Sequence, residues 1–309
     1  MTVSAPSRRP RTLAAAFAAL ALGLLSWAPA PSPAAAAEVA TPIVSGLPWR
    51  SGVSMAGDNT AAGFARWRGR PNDVLTNFIP HRTWEEIRSQ VSGPYFKRAC
   101  NQAALCVVSM SIMPISHAGQ FAQCAAGAFD VNHTGYAAGI KAAKPGSVVR
   151  IGWEANSYAG HPWWITSTSQ IPAYVACWRR LAGIYRAAGL LTDWSNTKDT
   201  AHPYLDSYPG DDVVDLWSLH YYDNYQKDIV PAAYIAEAAL RGKKVGFPEW
   251  GLRRKGDNVA FMQQTFALFR DNAPNIAYET YFNRSSAHML YPTTVYPQSA
   301  QAYLDLWRP

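Results

Sequence analysis

Eight short runs rich in apolar and β-branched residues recur along this chain, separated by segments of helical periodicity, and that alternation constrains the fold more than any other feature. The runs are Gly52–Ala56, Asp73–Ile79, Cys106–Met113, Val148–Trp153, Leu190–Trp194, Val213–Leu219, Lys244–Pro248 and Ile276–Phe282. Helical patterns are clearest at Thr83–Val91, Tyr136–Ala143, Ile171–Ala188, Ala232–Arg241 and Asn258–Asp271. In the third of these, Tyr174, Cys177, Trp178, Leu181, Ile184 and Tyr185 fall at three- and four-residue spacings and make one apolar face, with Arg179, Arg180 and Arg186 off it. Pro80, Pro114, Pro162 and Pro248 stand at or just past the ends of runs, where a missing backbone donor costs least. Strand–helix alternation on this scale predicts one α/β domain, a single (β/α)8 TIM barrel over residues 38–309.

The first 37 residues read differently. Arg8, Arg9 and Arg11 precede an apolar run from Leu13 to Leu25 and the small residues Ala34–Ala37, the layout of a secretory signal peptide. The apolar run is too short to span a bilayer comfortably, so the expectation is a secreted, extracellular protein with no membrane attachment after the signal is removed. Removal takes away three Lys+Arg and no Asp+Glu, lowering the net charge from +7 to +4. That mild charge, with no basic cluster interleaved with aromatics, argues against a nucleic-acid partner, and a monomer is expected. Four cysteines in an exported chain suggest two disulfides. Of the three connectivities, Cys100–Cys106 with Cys124–Cys177 is favoured, because the first pair closes a short loop before a strand.

In a (β/α)8 barrel, polar residues at the carboxyl ends of strands invite a functional reading. Glu154 ends the fourth run and Glu249 the seventh, whereas Asp211 and Asp212 precede the sixth. Two carboxyl groups flanking a scissile glycosidic bond are what glycoside hydrolysis requires, and a separation of about 5 Å accompanies retention. Glu154 is the expected acid/base, its pKa raised by the apolar neighbourhood of Trp153. Glu249 is the expected nucleophile, with Arg150, Tyr221 and Tyr222 as donors that keep it ionised. His161, Trp163 and Trp164, in the Gly- and Pro-containing segment after Glu154, and Trp250 beside Glu249 are expected to stack on or bind sugar rings. Trp178 and Trp217 read as core.

Four segments, taken in order, resemble glycoside hydrolase family 26 and its barrel relatives in clan A. Arg-Ile-Gly-Trp-Glu-Ala-Asn (150–156) is similar to the family's fourth-strand motif, and Tyr-Pro-Gly-Asp-Asp-Val-Val-Asp-Leu-Trp-Ser-Leu-His-Tyr-Tyr-Asp (208–223) to its sixth strand. Pro-Glu-Trp-Gly (248–251) is similar to the nucleophile strand, and Tyr-Glu-Thr-Tyr-Phe-Asn (278–283) to the eighth. The resemblance implies an endo-acting retaining hydrolase of a polysaccharide such as β-mannan, β-1,3-xylan or β-glucan, with Asn156, His220 and Tyr281 joining the sugar-binding set. It implies no cofactor. Two positions depart from the pattern: Trp153 replaces a common His before the acid/base, and His220 a frequent Asp. A metal site built from His81, His117 and His220 is disfavoured, because the first run lacks a His-x-His pair. A sugar-binding barrel without catalysis and a transglycosylase using the same two glutamates are the alternative readings.

Overall fold

The computed structural model describes residues 1–2, 39–54, 58–157, 160–198, 200–223, 229–253 and 256–308. The segment read as a signal peptide therefore lies almost entirely outside the described residues, as does the Ala56 end of the first predicted strand. Eight parallel strands close into a barrel in chain order: β1 (Arg50–Ser54), β2 (Val74–Phe78), β3 (Leu105–Met110), β4 (Val148–Ile151), β5 (Leu191–Thr197), β6 (Leu216–Tyr222), β7 (Lys244–Gly251) and β8 (Ile276–Phe282). Around it run α1 (Asp58–Arg68), α2 (Trp84–Ser92), α3 (Pro94–Cys100), α4 (Phe121–Ala125), α5 (Asp130–Ala143), α6 (Ile171–Ala187), α7 (Pro231–Leu240), α8 (Val259–Asp271) and α9 (Pro297–Trp307). The (β/α)8 architecture is the one the alternation predicted.

α6 buries Tyr174, Cys177, Trp178, Leu181 and Tyr185, the expected apolar face. Both disulfides form as favoured: Cys100–Cys106 ties the end of α3 to β3, and Cys124–Cys177 ties α4 to α6. Among the described residues no helix is long and apolar enough to cross a membrane.

The barrel interior changes character along its axis. Val74, Leu105, Val107, Val148 and Leu216 cluster with Val39 into an apolar plug. Polar side chains link strands across the interior: Tyr278 donates to Asp193 Oδ2, Thr76 and Thr280 hydroxyls pair at 2.9 Å, and Arg150 reaches Ser109 and Ser195. Burial pushes the Asp193 carboxyl up to about 6, against the opposing pull of Arg150.

β7 departs from the sequence reading in a way that matters. Pro248 was expected to end the strand, yet pairing continues to Gly251. On the β6 side Ser218 pairs with Gly246 and His220 with Glu249; on the β8 side Glu279 pairs with Phe247 and Tyr281 with Trp250. In both ladders two residues of the neighbour oppose three of β7, so β7 carries one extra residue, a bulge at Pro248. Proline has no N–H to give a ladder, which makes it the natural place for the interruption. The bulge shifts the side-chain alternation. Phe247 packs outward on Phe269 of α8, and a regular strand would send Glu249 out beside it; instead Glu249 meets the inward-facing His220, and Trp250 turns out to pack on Trp307 of α9.

The helix layer holds a buried titratable group away from the mouth. His133 on α5 is fully buried, with Nδ1 2.7 Å from the Tyr185 hydroxyl and Nε2 2.9 Å from the Ile112 carbonyl. Burial outweighs the opposing effects of that carbonyl and Asp130 and pushes the imidazole down to about 4 from 6.5. Between those values the unfolded chain binds the proton and the native one does not, so stability rises with pH across this window. His133 should contribute roughly 3 kcal/mol of the stability lost between pH 7 and 4. Urea midpoints across that range should fall less steeply for His133→Gln than for the wild type; equal slopes would remove this residue as the cause.

Candidate active site

β4 ends at Ile151, and the next residues form a turn rather than the expected continuation of strand to Trp153. Gly152 adopts φ +60°, and a Cβ there would approach Ile112 to 2.5 Å, so only glycine fits. Glu154 itself has φ 56°, the only positive φ of a non-glycine among the described residues. Such a conformation costs of order 1–2 kcal/mol and persists only where its surroundings hold it. Those surroundings are visible. Trp163 Nε1 donates to the Trp153 carbonyl at 2.8 Å, Trp178 Nε1 to the Ile151 carbonyl at 3.0 Å, and Asn156 exchanges hydrogen bonds with the Thr197 backbone at 3.1 and 3.0 Å.

The strained turn brings the Glu154 carboxylate to the barrel mouth, where the β7 bulge delivers Glu249. A single imidazole touches both. His220 Nδ1 lies 2.7 Å from Glu154 Oε1, and His220 Nε2 lies 3.0 Å from Glu249 Oε1. The Tyr222 hydroxyl donates to Glu249 Oε2 at 2.9 Å. Arg150, fully buried, donates to the Ser109 and Ser195 hydroxyls, contacts His220 Nε2 and stands 3.8 Å from Glu249 Oε1. Glu249 Oε1 thus has Arg150 and His220 as neighbours but no aligned hydrogen-bond donor among the described residues. On the far side of Glu154, His161 Nε2 is 3.4 Å from Oε2. His161 stacks on Trp163 with centroids 4.8 Å apart, and Trp153 and His81 meet it edge-on.

The electrostatics of Glu154 reverse the expectation of a raised pKa. Burial does push it up, but the charges and hydrogen bonds of His220 and His161 outweigh burial and hold the carboxyl well below its usual range. The apolar Trp153 lies beside the carboxylate, yet two imidazoles dominate its field. His220 responds in the opposite sense: burial lowers it, while Glu249 and Glu154 together raise it above the ordinary imidazole value.

Of the residues expected to contact sugar, His161, His220 and Tyr222 stand at the two carboxylates, and Trp164 is partly exposed in the same loop. Arg150, expected to keep Glu249 ionised, is sealed inside the barrel beside His220 and Glu249. The others lie away from the two carboxylates or beneath the surface. Asn156 is 1% exposed and ties the turn to β5. Trp163 is completely buried under His161, and Trp153 almost so. Tyr221, Trp250 and Tyr281 alternate with inward residues and point into the helix layer: Tyr221 packs on Phe261, Trp250 donates to Glu279, and the Tyr281 hydroxyl donates to the His288 carbonyl. Glu279 also accepts from Trp307 Nε1 at 3.1 Å, as a satisfied wall residue. Trp178 and Trp217 are fully buried. Phe78, the last residue of β2, and Arg284, two residues past β8, also stand at the carboxyl end of the barrel and were not singled out from the sequence, and His81 was weighed only as a metal ligand. Among the described residues no three His, Cys, Asp or Glu side chains gather as a metal site.

No family model and no curated protein sequence matches the chain. Solved structures do. A mannanase of Bacillus subtilis superposes with a TM-score of 0.60 at 14% identity, covering 84% of this chain and 86% of its own. A modular endo-β-1,4-mannanase of Cellulomonas fimi, described as a family 26 enzyme, gives 0.58 at 18% identity over 82% of this chain and 70% of its own. A family 26 β-mannanase of Bacteroides ovatus gives 0.54 at 16% identity, covering 84% and 86%. The chain has the fold of the family 26 mannanases. At these identities the likeness concerns the barrel, and the chemistry has to be argued from the side chains at its mouth.

Proposed function

We propose that this protein is a secreted glycoside hydrolase that cleaves β-linked polysaccharide chains internally, by double displacement, with Glu249 as nucleophile and Glu154 as acid/base. The observation that carries the reading is the pair of glutamates at the ends of β4 and β7, joined through one buried imidazole at the carboxyl end of the barrel. Glu249 attacks the anomeric carbon, its carboxylate oriented by the Tyr222 hydroxyl and flanked by His220 and Arg150. Glu154 passes a proton to the departing oxygen as the glycosidic bond breaks. In the second step Glu154 takes a proton from water, the water oxygen bonds to the anomeric carbon, and the ester to Glu249 breaks. Arg150 and His220 favour the ionised nucleophile, and His220 and His161 favour the ionised form of Glu154 needed in the second step. The lowered Glu154 pKa means that protonation for the first step depends on the substrate-bound site, where a sugar hydroxyl displaces His161 from Oε2.

The leader pattern of residues 1–37 and two disulfides support secretion, with the enzyme acting as a monomer. The test is product analysis on a panel of β-mannan, β-1,3-xylan and mixed-linkage β-glucan, with proton NMR of the first-formed anomer. The expected result is oligosaccharides released with the β-configuration. An initial α-anomer would replace double displacement by single displacement, and binding without cleavage across the panel would favour a sugar-binding barrel.

A further inference from the structure

The two ring nitrogens of His220 face different partners, and the difference decides where protons can sit. His220 is fully buried on β6 and turns Nδ1 to Glu154 Oε1 at 2.7 Å. Its Nε2 meets the Arg150 guanidinium from β4 and Glu249 Oε1 from β7, the latter at 3.0 Å. Asp193, nearer the start of β5, faces the same groups, its carboxyl pushed up by burial against the pull of Arg150 and His220. A guanidinium has donors only. When the imidazole is neutral, Nε2 therefore accepts from Arg150, and the one ring proton sits on Nδ1 and is donated to Glu154 Oε1. When the imidazole is charged, the second proton is on Nε2, beside Glu249 Oε1, and Nδ1 keeps its own. The third arrangement, a neutral ring protonated at Nε2 alone, sets an N–H against the guanidinium. It also leaves Nδ1 an acceptor, satisfied only by a proton on Glu154 Oε1, turned away from any substrate.

We propose that Arg150 and His220 together fix Oε2 as the oxygen of Glu154 that holds and transfers the proton. Arg150 selects the form of His220 protonated at Nδ1, and that N–H occupies Oε1. Oε2 is left on the other side, 3.4 Å from His161 Nε2. In the first step the glycosidic bond breaks with its electron pair to the leaving oxygen, which takes the proton from Oε2 while Glu249 bonds to the anomeric carbon. In the second, Oε2 takes a proton from the water whose oxygen replaces Glu249. Oε1 stays bonded to His220 throughout, and His220 neither gains nor loses a proton in either step. It is a positioning residue, acting through Glu154. This inference rests on the reading of Glu154 as acid/base and adds which of its two oxygens reacts.

The experiment has two arms. Nitrogen NMR of the full chain labelled at histidine follows the two ring nitrogens of His220 as pH is raised, with His220→Asn identifying the signals. Nδ1 should stay protonated throughout, and Nε2 alone should lose its proton; loss from Nδ1 first would overturn the proposal whatever the activity. The second arm compares kcat and KM of wild type, His220→Asn and His220→Gln on a β-glycan and on an activated aryl glycoside. Asn places an amide N–H where Nδ1 stands and keeps the donor to Oε1, whereas Gln reaches the place of Nε2 and drops it. On the β-glycan, His220→Asn should stay within about tenfold of wild type, and His220→Gln should lose kcat about a hundredfold with KM little changed. On the aryl glycoside, whose leaving group needs no proton, the Gln loss should shrink. A Gln variant as active as the Asn variant, or equal losses by both on both substrates, would overturn the assignment of Oε2. If either variant fails to fold, the wild-type titration decides. A wild type that cleaves no glycan would overturn the glycosidase reading itself, a result separate from the order in which the ring nitrogens titrate.

Discussion

Glu249→Ala is expected to lose turnover on polysaccharide by a factor on the order of 10⁴ or more, and to regain bond cleavage when azide is supplied. The side chain furnishes the carboxylate at the end of β7, with Oε1 held against His220 and Arg150 and Oε2 accepting from Tyr222. Removing it leaves a gap beneath the anomeric carbon that a small anion fills, giving a glycosyl azide of inverted configuration. The variant should also be less stable, since Arg150 and His220 lose their neighbouring negative charge; breaking a buried pair in this way costs about 3–5 kcal/mol. Glu249→Gln loses the same charge but leaves no gap and keeps an acceptor for Tyr222, so it should unfold at a denaturant midpoint between those of the Ala variant and wild type while remaining as inactive. A Gln variant within tenfold of wild-type turnover would remove Glu249 from the nucleophile role.

Glu154→Ala should behave differently, and the difference is diagnostic. General acid assistance contributes about 10²–10⁴-fold, and it matters most for a poor leaving group. The variant should therefore lose about that factor on a polysaccharide but much less on an activated aryl glycoside, whose phenolate departs without a proton. With the aryl substrate, azide should accelerate the second step and yield an azide of retained configuration. The pH–rate profile should lose the limb governed by Glu154 and its imidazole partners. Equal losses on both substrates would mean that Glu154 supports the site without transferring the proton.

The barrel and the position of both glutamates were legible in the sequence because each rests on a long-range regularity: alternation of elements, and the rule that chemistry gathers at strand ends. What was not legible was direction. Trp250, Tyr221 and Tyr281 lie next to inward residues along the chain, and one step along a strand reverses the face. The phase of β7 in particular is set by a bulge that neither hydrophobicity nor spacing announces, although Pro248 hints at it. Trp163 looked like a loop aromatic with nothing to pack on, but its buried indole is what fastens the Glu154 turn. The pKa of Glu154 was misjudged because its nearest sequence neighbour is apolar while its nearest spatial neighbours, His161 and His220, come from seven residues on and from another strand.

The extra residue in β7 has a bearing on how this barrel tolerates change. Most insertions and deletions in such a fold are absorbed by loops, but here a one-residue edit within a strand would swap two populations of side chains. Deleting Pro248 would restore the β6 ladder and remove the same step from the β8 ladder, while turning Glu249 into the helix layer and Trp250 into the mouth. The proposed catalysis is thus tied to a reading frame within a strand, and a lineage that regularised it would keep the barrel while losing the nucleophile proposed for its mouth.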